Sequence, residues 1–275
     1  MNQITDPQIL DFIARNDASY PPEANGASAV ENRRYYDAMC DQFRAPRPEG
    51  LVVEDRMIGG VPCRIYGSDQ GVFVLYLHGG GYVVGGLDSH DDVCAEISDA
   101  TGMTVVSADY RLAPEHRYPA QINDVQSVWL ALKAQGWRGV VTGDSAGGNL
   151  AAALCLAMRD RDGPMPLGQV LIYPGLGGDQ TAPSYTENAM APLLRTQDLG
   201  SYRAMLHDTD ESATEPLAAP LRAPALSGLP PAFIVSADVD PLRDDARDYA
   251  QRLNAAGVPA QWRNEPQLVH GYLRA

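Results

Sequence analysis

The stretch Val140-Val141-Thr142-Gly143-Asp144-Ser145-Ala146-Gly147-Gly148 predicts a sharp turn between a strand and a helix. Residues 140–142 form an apolar run typical of a buried strand, and residues 146–159 have a helical pattern. The turn matches G-x-S-x-G, in which a serine is held in a strained conformation. Small neighbours are needed there because strand and helix approach closely. A phosphate-binding helix start is the alternative, but no P-loop lysine follows. Ser145 is therefore the candidate nucleophile.

Outward from this turn, short apolar runs alternate with helical patterns. The runs are followed by helices of a length suited to crossover connections, which predicts a mostly parallel sheet with helices on both faces. A two-stranded antiparallel start joined by Gly59-Gly60 precedes them. The strand candidates are residues 51–58, 61–66, 72–77, 103–107, 140–142, 170–173, 232–236 and 259–264, and the helix candidates are 88–100, 123–134, 146–159 and 241–256.

Length and composition exclude several classes of protein. The 275 residues suit one large domain, with or without a lid. The formal net charge of −14 (21 − 35), with Lys133 as the single lysine, argues against a nucleic-acid partner. No stretch approaches the ~20 apolar residues needed to span a bilayer, and residues 1–15 predict an amphipathic helix rather than a secretory signal. The scattered Cys40, Cys63, Cys94 and Cys155 are typical of free thiols, which favours a cytoplasmic location.

A serine hydroxyl needs a base, and His270 is the best-placed histidine. It follows the last strand candidate, at the carboxyl edge of the sheet where Ser145 is also expected. Asp238 and Asp240 follow the strand at 232–236, and either carboxylate could fix the imidazole tautomer. The resulting order Ser…Asp…His is that of α/β-hydrolases.

An attacked carbonyl oxygen needs preorganised donors, which a run of glycines can supply. His78-Gly79-Gly80-Gly81-Tyr82 follows the strand at 72–77, and backbone without β-carbons can turn its amides toward one point. The amide of Ala146, after the candidate nucleophile, is a further donor. The flexible glycine turn is the alternative.

Taken together, these motifs make the sequence resemble the hormone-sensitive-lipase-like family of bacterial carboxylesterases, in the α/β-hydrolase superfamily. The resemblance implies an α/β-hydrolase fold with a helical cap and no metal or organic cofactor. It assigns the third member of the triad to Asp240 and the oxyanion donors to Gly80 and Gly81 with Ala146. The matching segments, in family order, are His78 to Tyr82, Asp109 to Glu115, Gly143 to Gly148, Asp240 to Asp244, and His270-Gly271.

Two segments lie outside the strand–helix alternation, and the resemblance identifies them as the cap. We expect N-terminal cap helices in residues 1–50, a core of residues 51–175 and 228–275, and a cap insertion in residues 176–227. Family members continue beyond His-Gly with a final helix, whereas this sequence ends at Ala275. The expectation is either a truncated form or a sheet edge covered by a second protomer, as in a homodimer.

The resulting hypothesis is a serine carboxylesterase for small esters with short acyl chains. An amidase, peptidase or acyltransferase with the same three residues is the alternative, followed by a non-catalytic binder on the same fold. Tyr82, Asp144, Tyr185 and Met190 are candidate substrate-binding residues, with cap packing or loop hydrogen bonds as the alternative. We also expect Asp109, Arg111 and Glu115 to form a buried ion network and His78 to brace the glycine loop. His90 is expected to have a structural role or to lie at the surface.

Overall fold

The structure is a computed structural model that describes residues 3–21, 24, 26–68 and 71–275. Its centre is one sheet of eight strands. In chain order these are β1 (Val53–Ile58), β2 (Val61–Tyr66), β3 (Val72–Leu77), β4 (Thr104–Ala108), β5 (Arg138–Asp144), β6 (Gln169–Ile172), β7 (Ala232–Val239) and β8 (Ala260–Val269).

The strand order across the sheet is β1-β2-β4-β3-β5-β6-β7-β8. β1 and β2 form an antiparallel hairpin, and β2 also pairs antiparallel with β4. Every pairing from β4 to β8 is parallel. The carboxyl ends of these strands therefore meet at one edge, where open α/β sheets hold their sites.

Some helices cover the two faces of the sheet, and others lie near its carboxyl edge. The helices are α1 (Pro7–Ala18), α2 (Ala29–Phe43), α3 (Asp91–Thr101), α4 (Ala120–Ala134), α5 (Ala146–Asp160), α6 (Pro183–Glu187), α7 (Thr196–Leu206) and α8 (Arg243–Ala255). Alternate residues of β3 point to opposite faces. Phe73, Leu75 and Leu77 join the core formed with α4, α5 and α8, while Val74 and Tyr76 join the core under α3. The mostly parallel sheet flanked by helices is confirmed.

Several element boundaries differ from those expected from the sequence. The helix expected at 88–100 begins at Asp91, and the strand expected at 259–264 continues to Val269. The sequence pattern did not predict this continuation, because Pro266 lies in it and proline is usually excluded from a central strand. β8 tolerates it because it is an edge strand with an irregular register.

The segments outside the alternation form helices near the carboxyl edge of the sheet. α1 begins where Asp6 accepts a hydrogen bond from Gln8 N and Pro7 occupies its first turn, and α2 begins with a Ser28–Glu31 capping box. The helix expected within residues 1–15 therefore begins at Pro7 and continues to Ala18, and residues 1 and 2 lie outside those described. The division into core and cap remains a prediction. Among the helices of the described residues, none has the length and apolar character required to cross a bilayer.

Candidate active site

Ser145 lies in the turn between β5 and α5, in a conformation that few L-residues adopt. Its φ is 53° and its ψ is −115°. Ser145 N donates to the carbonyl of Ile172 at 2.8 Å, and its own carbonyl accepts from Asn149 N at 3.1 Å. A Cβ at Gly147 would lie 1.8 Å from the carbonyl oxygen of Leu77. The turn therefore requires glycine there and holds the hydroxyl at the carboxyl edge of the sheet.

The His270 imidazole lies between the Ser145 hydroxyl and the Asp240 carboxylate. Its Nε2 is 2.8 Å from Ser145 Oγ, and its Nδ1 is 2.7 Å from Asp240 Oδ2. Since an ionised carboxylate only accepts, we assign the ring proton to Nδ1, which leaves Nε2 to accept from the serine. Asp240 is fully buried, and its other oxygen accepts from Leu242 N at 2.8 Å. Three residues distant in sequence thus form one continuous hydrogen-bonded chain.

Asp238, the other carboxylate at this edge, points elsewhere. Its Oδ1 accepts a hydrogen bond from Asn264 Nδ2 at 3.0 Å on the neighbouring strand β8. Asn188 Nδ2, from the segment after β6, donates to the carbonyl oxygens of Asp238 and Asp240 at 3.2 and 3.0 Å. No sequence pattern indicates this role of Asn188, because it depends on how residues 176–227 fold back over β7.

The glycine loop after β3 faces the same point. Gly80 and Gly81 have φ values of 116° and 59°, which favour glycine. Within the described part of the chain, neither amide donates a hydrogen bond to a protein acceptor. Ala146 is the first residue of α5, so its amide has no partner within the helix. The Tyr202 ring of α7 covers the loop, since a Cβ at Gly81 would lie 2.4 Å from it.

Asp144 supports the glycine loop from below. Its Oδ1 accepts from Gly79 N at 2.9 Å and from Tyr76 Oη at 2.8 Å, and lies 3.2 Å from His90 Nε2. The carboxylate borders the cavity described below, and its Oδ2 accepts from Tyr173 Oη at 3.4 Å. A substrate-binding role for Asp144 stays a prediction.

His90 and Arg274 form a polar group behind Asp144. Arg274 donates to Tyr36 Oη at 3.1 Å and lies 2.9 Å from His90 Nε2. Burial, and then the charge of Arg274, lowers the pKa of His90, so the ring is neutral at pH 7. Burial alone would raise the pKa of Asp144, but the hydrogen bond from His90, the charge of the Arg274 guanidinium and the hydrogen bond from Tyr76 hold that pKa below its ordinary range. The network therefore keeps a buried carboxylate ionised beneath the loop.

A cavity of about 890 Å³ opens above Ser145 and His270. The four candidate substrate-binding residues all border it: Met190 lies at the rim with 69% of its surface exposed, and buried Tyr185 donates to Asp245 at 3.1 Å. Several other wall residues have no signal in the sequence, because their approach to the cavity depends on how segments distant in sequence pack together. They include Tyr20, Tyr36, Tyr173 and Tyr202.

The expected ion network of Asp109, Arg111 and Glu115 is wrong. Arg111 pairs with Asp124 at 2.8 Å, and Glu115 pairs with Arg33 of α2 at 2.6 Å. The side chains of Arg111 and Glu115 are 48% and 45% exposed. The loop thus gives Arg111 and Glu115, which lie close in sequence, different partners.

The sheet, the serine at the β5–α5 turn and the glycine loop define an α/β hydrolase. A family model described as alpha/beta hydrolase fold matches residues 74–274. Carboxylesterase NlhH of Mycobacterium tuberculosis is 41% identical over 93% of this chain and 86% of that protein. The ethyl acetate hydrolase of Pseudomonas putida is 35% identical, over 78% of this chain and 72% of its own length.

Solved structures give the same result. A crystal structure of an esterase from the bacterial hormone-sensitive lipase family superposes with a TM-score of 0.91 at 31% identity, covering 99% of this chain and 92% of that one. The chain therefore belongs to the hormone-sensitive-lipase-like family of α/β-hydrolase carboxylesterases, and its reaction is the hydrolysis of carboxylic esters.

Proposed function

We propose that the protein hydrolyses small, short-acyl esters with Ser145 as nucleophile, His270 as general base and acid, and Asp240 as the group that orients the imidazole. The observation that carries this proposal is the hydrogen-bonded chain, 2.8 Å from Ser145 to His270 and 2.7 Å from His270 to Asp240. In an α/β hydrolase this geometry matches the demands of nucleophilic catalysis.

In the first half-reaction, Ser145 Oγ attacks the ester carbonyl carbon and its proton passes to His270 Nε2. The imidazolium is stabilised by Asp240, which accepts the Nδ1 hydrogen bond. The tetrahedral intermediate collapses when the carbonyl–alkoxy bond breaks. The alcohol leaves with the proton from Nε2, and the acyl group remains on Ser145.

In the second half-reaction, water attacks the acyl-enzyme while Nε2 takes one of its protons. Collapse then breaks the bond to Oγ, which recovers the proton as the carboxylic acid leaves. In both intermediates the oxyanion would lie near the amides of Gly80, Gly81 and Ala146. Among the residues that the structure describes, the amides of Gly80 and Gly81 donate to no other protein acceptor, and this supports the role, because preorganised donors stabilise charge that develops only in the transition state.

The residues that surround the cavity above Ser145 support a preference for short acyl chains. Tyr202 covers Gly81 directly, and residues of α1, α2 and α7 border the cavity. A relative named ethyl acetate hydrolase is consistent with small substrates. A short-chain aryl ester, a long-chain aryl ester and the matching anilide, assayed side by side, test the proposal. Faster turnover of the long-chain ester would contradict the chain-length preference. Faster hydrolysis of the anilide than of either ester would favour an amidase.

Replacing Ser145 by alanine tests the nucleophile. Ser145→Ala should lower kcat by about 10⁶-fold, the scale seen when a triad nucleophile is removed. Ser201→Ala, an exposed serine of α7, is the matched control and should leave kcat unchanged. Most of the turnover surviving in Ser145→Ala would reject the proposed mechanism.

A further inference from the structure

β8 changes its register with β7 immediately before His270. Ala237 pairs with Glu265 and Val239 pairs with Val269. One residue of β7 therefore lies opposite three residues of β8, positions 266–268. Such bulges bend a strand and redirect the side chains that follow them. His270 is the first residue after β8, so the bulge sets the direction in which its imidazole leaves the sheet.

Gln267, the middle residue of the bulge, has an unfavourable backbone conformation. Its φ is 62°, in the left-handed region that a non-glycine residue with a long side chain seldom occupies. A conformation of this kind persists only where surrounding contacts impose it, and such residues cluster at functional sites. Contacts that hold Gln267 are therefore expected.

The Gln267 side chain makes those contacts with the N-terminal segment. Its Oε1 accepts three hydrogen bonds, from Thr5 N at 2.6 Å, from Thr5 Oγ1 at 3.0 Å and from Asp6 N at 3.1 Å. Asp6 in turn caps α1. Nothing in the strand–helix alternation requires this connection, which joins residues more than 260 positions apart.

The same helix also packs against the end of the two strands. Phe12 of α1 belongs to a buried cluster with Val239 and Val269, the residues that flank Asp240 and His270 in sequence. The last turn of α1 borders the cavity through Asn16 and Asp17. α1 therefore connects one wall of the cavity to the bulge.

We infer that Gln267 is a positioning residue: hydrogen-bonded to Thr5 and Asp6, it holds the β8 bulge that directs His270 toward Ser145. The inference rests on the proposed function of His270. It assigns to the start of α1 a part in proton transfer, through the orientation of the imidazole and without contact with substrate.

The test compares Gln267→Leu with Gln267→Glu. Leucine is similar in size and lacks the acceptor, whereas glutamate retains an oxygen for the three donors. Gln267→Leu should lower kcat by about 10- to 100-fold with KM changed less than about twofold, because a displaced catalytic group costs rate at this scale. Gln267→Glu should stay within about threefold of the wild-type protein, as should the control Gln261→Leu at an exposed position of the same strand.

A second readout separates positioning from stability. The rate of serine phosphonylation by an aryl phosphonate, normalised to titrated sites, reports the activation of Ser145 in folded molecules only. It should fall in Gln267→Leu by the same factor as kcat. Thr5→Pro removes the backbone and hydroxyl donors at an exposed position and leaves Gln267 in place, so it should reproduce the loss if Gln267→Leu folds poorly.

The inference is overturned if Gln267→Leu or Thr5→Pro keeps the wild-type kcat and phosphonylation rate, or if Gln267→Glu loses as much as Gln267→Leu. These results differ from failure of the proposed function, in which the wild-type protein itself would show no turnover or phosphonylation dependent on Ser145.

Discussion

His78 is a titratable residue buried next to the candidate oxyanion donors. Its ring stacks on Tyr110 with centroids 4.2 Å apart, and its Nδ1 lies 2.8 Å from the carbonyl oxygen of Gly79. Burial, reinforced by the neighbouring His90, lowers the pKa of His78 to about 3. The ring is therefore neutral at pH 7 and supports the loop, and a role in proton transfer at neutral pH is disfavoured.

The lowered pKa of His78 makes the free energy of unfolding depend on pH in the acid range. In the unfolded chain His78 takes up a proton below its ordinary pKa of about 6.5, whereas the folded protein binds that proton only near pH 3. Its contribution to stability is complete above pH 6.5 and is lost as the pH falls toward 3. Between pH 7 and 5 this one group should cost about 2 kcal/mol of unfolding free energy.

His78→Phe tests the acid sensitivity, because it keeps an aromatic ring over Tyr110 and removes the titration. Urea unfolding at pH 7 and at pH 5 gives the free energy lost by each protein. The wild-type loss should exceed that of the variant by about 2 kcal/mol. Equal losses in the two proteins would show that His78 is protonated in the folded state at pH 5.

At the residue scale, motif positions were predictable wherever the backbone itself dictates the residue. Gly147 must be glycine because the carbonyl of Leu77 occupies the place of a Cβ, and such constraints leave a fixed spacing in the sequence. His90 and Arg274 had no such signal, because only the folded chain brings His90 against Asp144 and the charge of Arg274 close behind it. The expected pairing of Arg111 failed for the same reason.

At the scale of elements, Arg33 joins α2 to the core through four hydrogen bonds. Its Nε donates to the carbonyl of Val83 at 2.7 Å, and one terminal nitrogen donates to the carbonyl of Ala113 at 2.8 Å. Both terminal nitrogens also bond to the Glu115 carboxylate, at 2.9 and 2.6 Å. This planar pattern requires a guanidinium, because a lysine ammonium presents its donors from a single point.

Arg33→Lys should therefore loosen α2 while the charge is retained. Loss of the bidentate contact and of one or two carbonyl contacts should cost about 1.5–3 kcal/mol. Native-state hydrogen exchange of the α2 amides should become about tenfold faster or more. Arg34→Lys, at the exposed neighbouring position, should leave the exchange unchanged. Unaltered protection of α2 in Arg33→Lys would mean that apolar packing alone holds the helix.

Elements that bury a periodic apolar face were predicted well, and irregular ones were not. β3 appears in the sequence as a continuous apolar run because helices cover both its faces. β8 was predicted five residues too short at its C-terminal end, because its bulge at 266–268 interrupts the pattern and depends on the contact of Gln267 with Thr5. A distant hydrogen bond leaves no trace in local periodicity.

At the scale of the whole molecule, the alternation of strand and helix patterns in the sequence predicts the sheet, but it does not predict which residues line the cavity. Residues from α1, α2 and α7 border the same space as Ser145. The packing of Tyr202 on Gly81 brings two positions more than a hundred residues apart into contact. Nothing local fixes the rotation of these helices about their own axes, so these wall residues follow only from the three-dimensional structure.

Net charge is a property of the whole molecule that bears directly on substrate selection. With 35 acidic and 21 basic side chains, the protein carries a formal charge of −14, which repels anionic esters over a distance of about one Debye length. For an aryl hemisuccinate, kcat/KM should therefore rise about 2- to 10-fold between 0.02 and 0.2 M salt, because screening weakens the repulsion. The uncharged butyrate of the same aryl alcohol is the control and should change little. A fall of kcat/KM for the hemisuccinate over this range would show instead that a nearby cation, with Arg274 in the cavity wall as the first candidate, attracts the substrate more strongly than the net charge repels it.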